Sequence, residues 1–132
     1  MHANTTNTTN KLIYPELSYV LNGICFGVQN RIGRYSREKQ YCDEIERELR
    51  ERHIPFQREL TVADTGNRVD FLVDDKIVLE IKASGLIDRK DYYQLQNYLQ
   101  AMDVKLGLLV NFRSQYLKPK RIIRIEAKNS FA

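Results

Sequence analysis

A carboxylate and an amine lie two residues apart in the run Ile77–Ala83, which is rich in β-branched residues. Because side chains alternate between the two faces of a strand, Glu80 and Lys82 share one face, while Leu79 and Ile81 share the other. Charged groups gathered on one face of a strand are candidates for metal-dependent or acid–base chemistry.

A second carboxylate, Asp70, lies in the preceding run, Arg68–Val73. The length of the turn between the two runs decides whether Asp70 lies on the same sheet face as Glu80. A two-residue turn pairs Asp70 with Leu79, whereas a three-residue turn over 74–76 pairs it with Glu80. We favour the three-residue turn or a bulge. Two carboxylates about 5 Å apart repel each other unless a cation or proton intervenes, and oxygen-only ligands suit Mg²⁺ or Mn²⁺.

The same alternation fits a surface hairpin whose charges merely alternate with core residues. Two polar residues on otherwise apolar helical faces weaken that alternative. Glu38 precedes Tyr41 by three residues and Cys42 by four, which predicts an inward position where an unpaired carboxylate is costly. Gln94 precedes Tyr98 by four and is expected in a similar position. Either residue alone is typical of a satisfied buried polar group, but together they indicate a polar pocket.

The helices that must position these residues show apolar side chains every three or four positions. They are predicted over 15–31, 36–52 and 86–102. Gly33 is expected to close the first helix, and Ser36 and Asp88 are expected to cap the second and third.

Between and after the helices, β-branched and aromatic runs predict strands. They are expected over 56–62, 68–73, 77–83, 105–112 and 121–126. The first three form an antiparallel meander, and the near-continuous apolar run at 105–112 predicts a strand buried on both faces. The fold class is therefore α/β or α+β, with a mixed central sheet flanked by helices in the order α-α-β-β-β-α-β-β.

Composition predicts one globular domain and little more. The chain has 132 residues, 42% hydrophobic and 29% charged, and a formal net charge of +4, which permits an anionic partner without requiring one. We expect a disordered polar tail over 1–12 and a single domain over 13–128. Two isolated cysteines, no apolar run long enough for a membrane span and no signal-like start predict a cytoplasmic protein without a disulfide framework.

In the charged and polar residues of its predicted strands and helices, the chain resembles the PD-(D/E)XK nuclease-like superfamily and, within it, the small GxxExxY proteins. The resemblance covers Leu17 to Arg124. Asp70 takes the place of the motif's aspartate, and Glu80-Ile81-Lys82 matches its (D/E)XK tripeptide. The segment 94–98 matches the QxxxY element of RecB-like members, and the segment 38–41 matches the ExxY half of the name motif.

The resemblance implies a restriction-endonuclease-like core and a phosphodiesterase dependent on Mg²⁺ or Mn²⁺ that acts on nucleic acid, with DNA favoured. The implied metal ligands are Asp70, Glu80, the Ile81 carbonyl and Glu38, the last directly or through water. Lys82 is expected to orient or help deprotonate the attacking water and to stabilise the transition state. Gln94 and Tyr98 are expected to donate hydrogen bonds to the scissile or a neighbouring phosphate.

Further nucleic-acid contacts are expected from Tyr41, the tyrosine of the ExxY match, and from a basic run near the C-terminus. This run consists of Lys118, Lys120, Arg121, Arg124 and Lys128. It fits a phosphate-tracking strip and equally a solvated edge strand, on which lysines discourage edge pairing.

Two other functions stay open, since a fold does not fix a function. The same fold with an intact pocket could serve as a non-catalytic nucleic-acid-binding or regulatory module. A homodimer, or a complex with an unidentified protein partner, is also consistent with a chain of this size.

Overall fold

The computed structural model describes residues 13–62 and 65–126. Within these residues the chain forms three helices and five strands. They are α1 (Pro15–Ile32), α2 (Glu38–Glu51), β1 (Phe56–Thr61), β2 (Arg68–Val73), β3 (Ile77–Lys82), α3 (Arg89–Met102), β4 (Leu106–Asn111) and β5 (Lys120–Ile123). The order agrees with the sequence prediction. The predicted tail over 1–12 lies outside the described residues.

The five strands form one mixed sheet in the order β1-β2-β3-β4-β5. The pairs β1–β2, β2–β3 and β4–β5 are antiparallel, whereas β3 and β4 are parallel. Parallel neighbours need a crossover connection, and α3 supplies it. The predicted meander and mixed sheet are confirmed, with a topology consistent with a restriction-endonuclease-like fold.

Helices cover both faces of the sheet and create two apolar layers. Helices α1 and α2 pack on the face that carries Leu79 and Ile81, whereas α3 packs on the face that carries Val78 and Leu109. Gly107 allows α3 to approach closely, because a Cβ at this position would lie 2.9 Å from the Leu95 side chain. Every residue of β4 is buried, as its apolar run predicts.

Some element boundaries differ from the predictions. Helix α2 has Arg37 rather than Ser36 at its N-cap: the Arg37 backbone N–H donates to the Gln40 side chain, while the Ser36 hydroxyl donates back to Ile32 O. Asp88 caps α3 as predicted, accepting from Lys90 N at 3.0 Å. None of the helices in the described ranges is long and apolar enough to cross a membrane.

Candidate active site

The turn between β2 and β3 has three residues, as favoured from the sequence. Val73 lies opposite Ile77 and Phe71 opposite Leu79, so Asp70 comes next in register with Glu80. The first two turn residues adopt left-handed backbone conformations, at φ of 53° and 55°. The register therefore places Asp70 and Glu80 on the sheet face that α3 covers.

Asp70 stands where the hydrogen-bond ladders on both sides of β2 are interrupted. On the β1 side Asp70 lies opposite Glu59, which has a φ of 56°. Regular pairing between β1 and β2 is found only before and after this position. On the other side the ladder with β3 ends at Phe71. The Asp70 carboxylate itself accepts from Ile81 N–H at 2.7 Å. Asp70 thus replaces a backbone acceptor and is held against β3.

Glu80 is buried, with 8% of its surface exposed. Burial, followed by the negative charge of Asp70 and a hydrogen bond with it, raises the pKa of Glu80 to about 9, against a partial opposing effect of Lys82. A buried carboxylate beside another carboxylate is costly unless a proton or a cation intervenes. This pair is the electrostatically strained feature of the sheet.

Lys82 lies between the carboxylates and the start of α3. Its Nζ is 3.6 Å from Asp91 Oδ1, and both side chains are about three-quarters buried. Asp91 is fixed in turn, because its other oxygen accepts from Asp88 N–H at 3.1 Å. The helix cap therefore anchors the acidic partner of the lysine.

Glu38 reaches the same edge of the sheet from α2. Its Oε2 accepts from Ala83 N–H, directly after Lys82, at 3.3 Å. The predicted inward position is wrong, since Glu38 is exposed. It is the first residue of α2, where no preceding helical turn covers it. Burial raises the pKa of the Cys42 thiol, and the negative charge of Asp70 raises it further. The carboxylates of Glu38 and Glu80 contribute smaller effects in the same direction.

Tyr98 and Gln94 differ in their surroundings. Tyr98 is buried, and its pKa is raised by burial and then by Glu80 and Asp70, which places its phenol near the carboxylate pair. Gln94 is exposed, contrary to the expected inward position. Both side chains line a groove beside α3, so Gln94 lies at the entrance to the site rather than within its core.

Tyr41 is a core residue, and the prediction that it contacts nucleic acid is wrong. Its side chain is fully buried, with its ring stacked on Phe112 at a centroid distance of 4.2 Å. Its hydroxyl donates to Gly33 O at 2.6 Å and accepts from Ser36 N–H at 3.1 Å. Tyr41 therefore ties the loop between α1 and α2 to the core.

The basic run is divided by β5 rather than forming one strip. Glu80 lies opposite Leu109, which lies opposite Lys120. Lys120 is therefore in the same row as Glu80, two strands or roughly 10 Å away. Directly opposed residues share a face, so Lys120 lies on the α3 side. Both Lys118 and Lys120 are exposed at this end of the sheet.

The two arginines of the run occupy other environments. Arg121 donates to Ser18 Oγ and Ile13 O beneath α1. Arg124 pairs with Asp103 and Glu126, and its backbone N–H bonds to Lys105 O beside the start of β4. Neither arginine thus extends a strip from the site, so the phosphate-tracking alternative does not hold for these two residues. Lys128 lies outside the described residues.

Two residues that sequence reasoning missed shape the site. Asp91 follows the N-cap Asp88 by three residues, a spacing typical of a capping box, but nothing in that pattern indicates that it also pairs with Lys82. Asn111 ends β4 and accepts from Ser84 N–H at 3.2 Å while donating to Ser84 O at 2.9 Å. It therefore fixes the segment that follows β3, and a polar residue ending an apolar run is its only sequence signal.

The arrangement can supply two carboxylate ligands to a divalent ion. No group of three His, Cys, Asp or Glu side chains in the described ranges is placed to hold a metal ion by itself. Mg²⁺, however, is commonly bound by one or two carboxylates together with water and substrate phosphate oxygens. The mutual repulsion of Asp70 and Glu80 is what a cation would relieve, so the donor set fits this ion.

Fold and site together define a restriction-endonuclease-like protein with Asp, Glu and Lys side chains at one edge of a mixed sheet. A sequence model of the PD-(D/E)XK nuclease superfamily matches residues 15–125, and the chain belongs to this superfamily. Its members are typically nucleases that use Mg²⁺ or Mn²⁺, so membership supports nuclease activity in general terms. Searches of curated proteins and of solved structures return no match.

Proposed function

We propose that this protein is a Mg²⁺- or Mn²⁺-dependent nuclease that hydrolyses phosphodiester bonds, with DNA as the favoured substrate. The observation that carries the proposal is the buried Glu80 in register with Asp70, with Lys82 two residues further along the same strand. Superfamily membership supports the same chemistry.

Asp70 and Glu80 would hold the ion, with the Ile81 carbonyl and Glu38, directly or through water, as further ligands. A bound divalent ion neutralises phosphate charge and lowers the pKa of a coordinated water. The bond from Ile81 N–H keeps the Asp70 carboxylate at this edge of the sheet. The backbone of β3 thereby fixes one of the proposed anionic donors.

Lys82 supplies the positive charge for the reaction. Asp91, 3.6 Å away, limits the range of positions of the Lys82 ammonium. An ammonium fixed beside the carboxylates can orient the attacking water and stabilise charge that develops on the phosphate oxygens. Tyr98 and Gln94 are suited to donate hydrogen bonds to the scissile or a neighbouring phosphate.

The finer affiliation with GxxExxY and RecB-like proteins belongs to the same proposal. It is supported by the ExxY match at 38–41 and the QxxxY match at 94–98. Because Tyr41 is buried, its part in this motif is to position the start of α2, from which Glu38 reaches β3. A protein partner or a homodimer is compatible with this assignment.

A non-catalytic nucleic-acid-binding module is the second candidate. The ion pair between Lys82 and Asp91 favours it, because a lysine engaged by a carboxylate is less available to a phosphate. This module would bind nucleic acid without cleaving it, and its binding would not depend on Lys82.

The deciding experiment incubates purified protein with single-stranded DNA, double-stranded DNA and RNA in Mg²⁺, Mn²⁺ or EDTA. It compares wild type with Lys82→Ala and with a control, Lys105→Ala, whose exposed side chain lies at the far end of β4. Metal-dependent cleavage that Lys82→Ala abolishes and Lys105→Ala leaves unchanged supports the nuclease. Binding without cleavage, unaffected by Lys82→Ala, supports the module.

A further inference from the structure

A groove of about 310 Å³ lies between the turn that precedes β2 and the exposed side of α3. We name it the amide groove. Its lining includes Asn67, Lys90, Tyr93, Gln94, Asn97 and Tyr98. Among the described residues that line it there is one lysine and no carboxylate.

The amide groove adjoins the candidate active site. Tyr98 belongs to both, since its phenol lies near Glu80 and Asp70. Along α3, Asp91 contacts Lys82, and Gln94 follows one turn later on the same side of the helix. A polymer held at the carboxylates therefore meets this groove within one or two turns of α3.

The groove offers hydrogen-bonding groups that the protein does not use. The side-chain amides of Asn67, Gln94 and Asn97 have no hydrogen-bond partner within the described ranges. Each amide presents both a donor and an acceptor. Such groups can recognise the Watson–Crick edge of an unpaired nucleobase, an edge that base pairing occupies in a duplex.

The same groove also has an aromatic surface. Tyr93 is 57% exposed, and Tyr92 contacts it edge-on at a ring-centroid distance of 5.4 Å and an interplanar angle of 70°. An exposed aromatic face is a stacking platform for a base that has left its own stack. Lys90, exposed at the same groove, supplies the charge for an adjacent phosphate.

The larger concavity of the molecule lacks these features. It measures about 640 Å³ and lies beside α2 and β1, with Arg50 and Arg58 among its lining residues. Both guanidiniums are already engaged by Glu46. Arg58 also pairs with Asp43, so both arginines are already in ion pairs, and none of the catalytic candidates lines this concavity.

We propose that the amide groove binds one unpaired nucleotide next to the scissile phosphate, so that the substrate is a nucleic acid with a single-stranded segment. This proposal rests on the proposed nuclease function. The base stacks on Tyr93, its edge contacts the amides of Asn67, Gln94 and Asn97, and Lys90 contacts a backbone phosphate.

The test measures binding of fluorescently labelled oligonucleotides by anisotropy in EDTA, where no cleavage occurs. The probes are a single-stranded DNA 12-mer, a blunt duplex of the same sequence, and that duplex with a single-stranded overhang. We expect the single strand and the overhang to bind at least about tenfold more tightly than the blunt duplex. Equal affinity for all three would overturn the proposal.

The variants localise the effect. Tyr93→Ala should weaken single-strand binding by about 5- to 160-fold, the effect expected for loss of one stacked base, while Tyr93→Phe should retain it. Asn97→Ala should weaken it about 3- to 10-fold. The matched controls are Tyr19→Ala and Asn30→Ala, both exposed on α1, and neither should change it. Tyr93→Ala and Asn97→Ala affinities equal to wild type would overturn the proposal.

Cleavage in Mg²⁺ separates this proposal from the one on which it rests. If blunt duplex and single strand are cut at equal rates and Tyr93→Ala has no effect, the nuclease stands and the groove assignment fails. Single-strand binding that depends on Tyr93, without cleavage in any metal, supports the groove and contradicts the nuclease.

Discussion

Acidic residues gather in two regions of this molecule, on the outer face of α2 and at the edge of the sheet formed by β2 and β3. Two of the α2 carboxylates show the pattern: Glu44 pairs with Arg31 at 2.8 Å, and Glu46 with Arg58 at 2.8 Å. These partners lower the pKa of both carboxyl groups. At the sheet edge Asp70 faces Glu80, and the pKa of Glu80 is raised instead.

The difference separates charges that stabilise a surface from charges gathered for a ligand. Exposed ion pairs such as those on α2 each contribute little and are screened by salt. The pair at Asp70 and Glu80 opposes folding until a proton or cation joins it, and proteins retain such clusters mainly at functional sites. The comparison predicts that equivalent substitutions in the two regions have opposite consequences.

The largest expected effect is on catalysis. Glu80→Gln should lower the rate of metal-dependent cleavage by about 10²- to 10³-fold, because it removes a charged group from the site. Glu46→Gln, the matched change on α2, should leave the rate within about twofold. Single-turnover cleavage of labelled DNA measures both. Equal rates for wild type and Glu80→Gln would remove Glu80 from the reaction.

The second-largest expected effect is a difference between wild type and Glu80→Gln in how stability depends on pH. The folded-state pKa of Glu80, about 9, lies above the ordinary value of 4.5, so its contribution is fully present below pH 4.5 and is lost as pH rises toward 9. Without metal, wild type should lose on the order of 6 kcal/mol of unfolding free energy across this window, and Glu80→Gln should lose far less. Urea titrations at several pH values measure this.

The matched carboxylate on α2, Glu46, contributes to stability with the opposite pH dependence. The pKa of Glu46 is lowered, chiefly by its hydrogen bond from Arg58. Its stabilising contribution is present above its ordinary pKa and is lost as pH falls through the lowered value. Glu46→Gln should therefore leave the pH 5 to 9 profile of wild type unchanged. A profile flattened equally by both variants would contradict the distinction between the regions.

A smaller effect tests the assignment of Tyr41 to the core. Tyr41→Phe removes the hydroxyl that bonds Gly33 O and Ser36 N–H, which should cost about 1 to 2 kcal/mol of unfolding free energy. Affinity for nucleic acid, measured by anisotropy, should stay at the wild-type value. A stable variant with weakened binding would restore Tyr41 as a nucleic-acid contact.

The smallest expected effect concerns the lysines at the site's end of β5. Replacing Lys118 and Lys120 with Gln together should lower the slope of log affinity against log salt by about two, one for each lost phosphate contact. Arg124→Gln should not change the slope, because Arg124 pairs with Asp103 and Glu126. Equal slopes in all variants would leave both lysines with a role in solubility alone.

The sequence was sufficient for the features that depend on local periodicity and chain length. Alternation placed Glu80 and Lys82 on one face, and a three-residue turn brought Asp70 into register with Glu80. Both follow from strand geometry, and the all-apolar β4 follows from burial on two faces. The resemblance added the superfamily, which the comparison confirmed.

The remaining features depend on three-dimensional neighbours that no local pattern encodes. Lys120, Arg121 and Arg124 are close in sequence, but strand alternation turns Arg121 toward Ser18 and strand length carries Arg124 to the other end of the sheet. Helical spacing predicted that Tyr41 faces inward but not that its hydroxyl is fully engaged. The pairing of Asp91 with Lys82 depends on how α3 packs against β3.

The central claim, that Asp70 and Glu80 form a cation-binding site rather than an ordinary charged surface, is tested most directly by melting temperatures with and without a divalent ion. Wild type, Asp70→Asn and Glu80→Gln are melted in EDTA and in millimolar Mn²⁺ at constant ionic strength. We predict that Mn²⁺ raises the melting temperature of wild type alone, because the ion binds the folded state, and that both variants in EDTA melt at or above the wild-type temperature. Variants that melt lower than wild type in EDTA, together with no response of wild type to Mn²⁺, would contradict it.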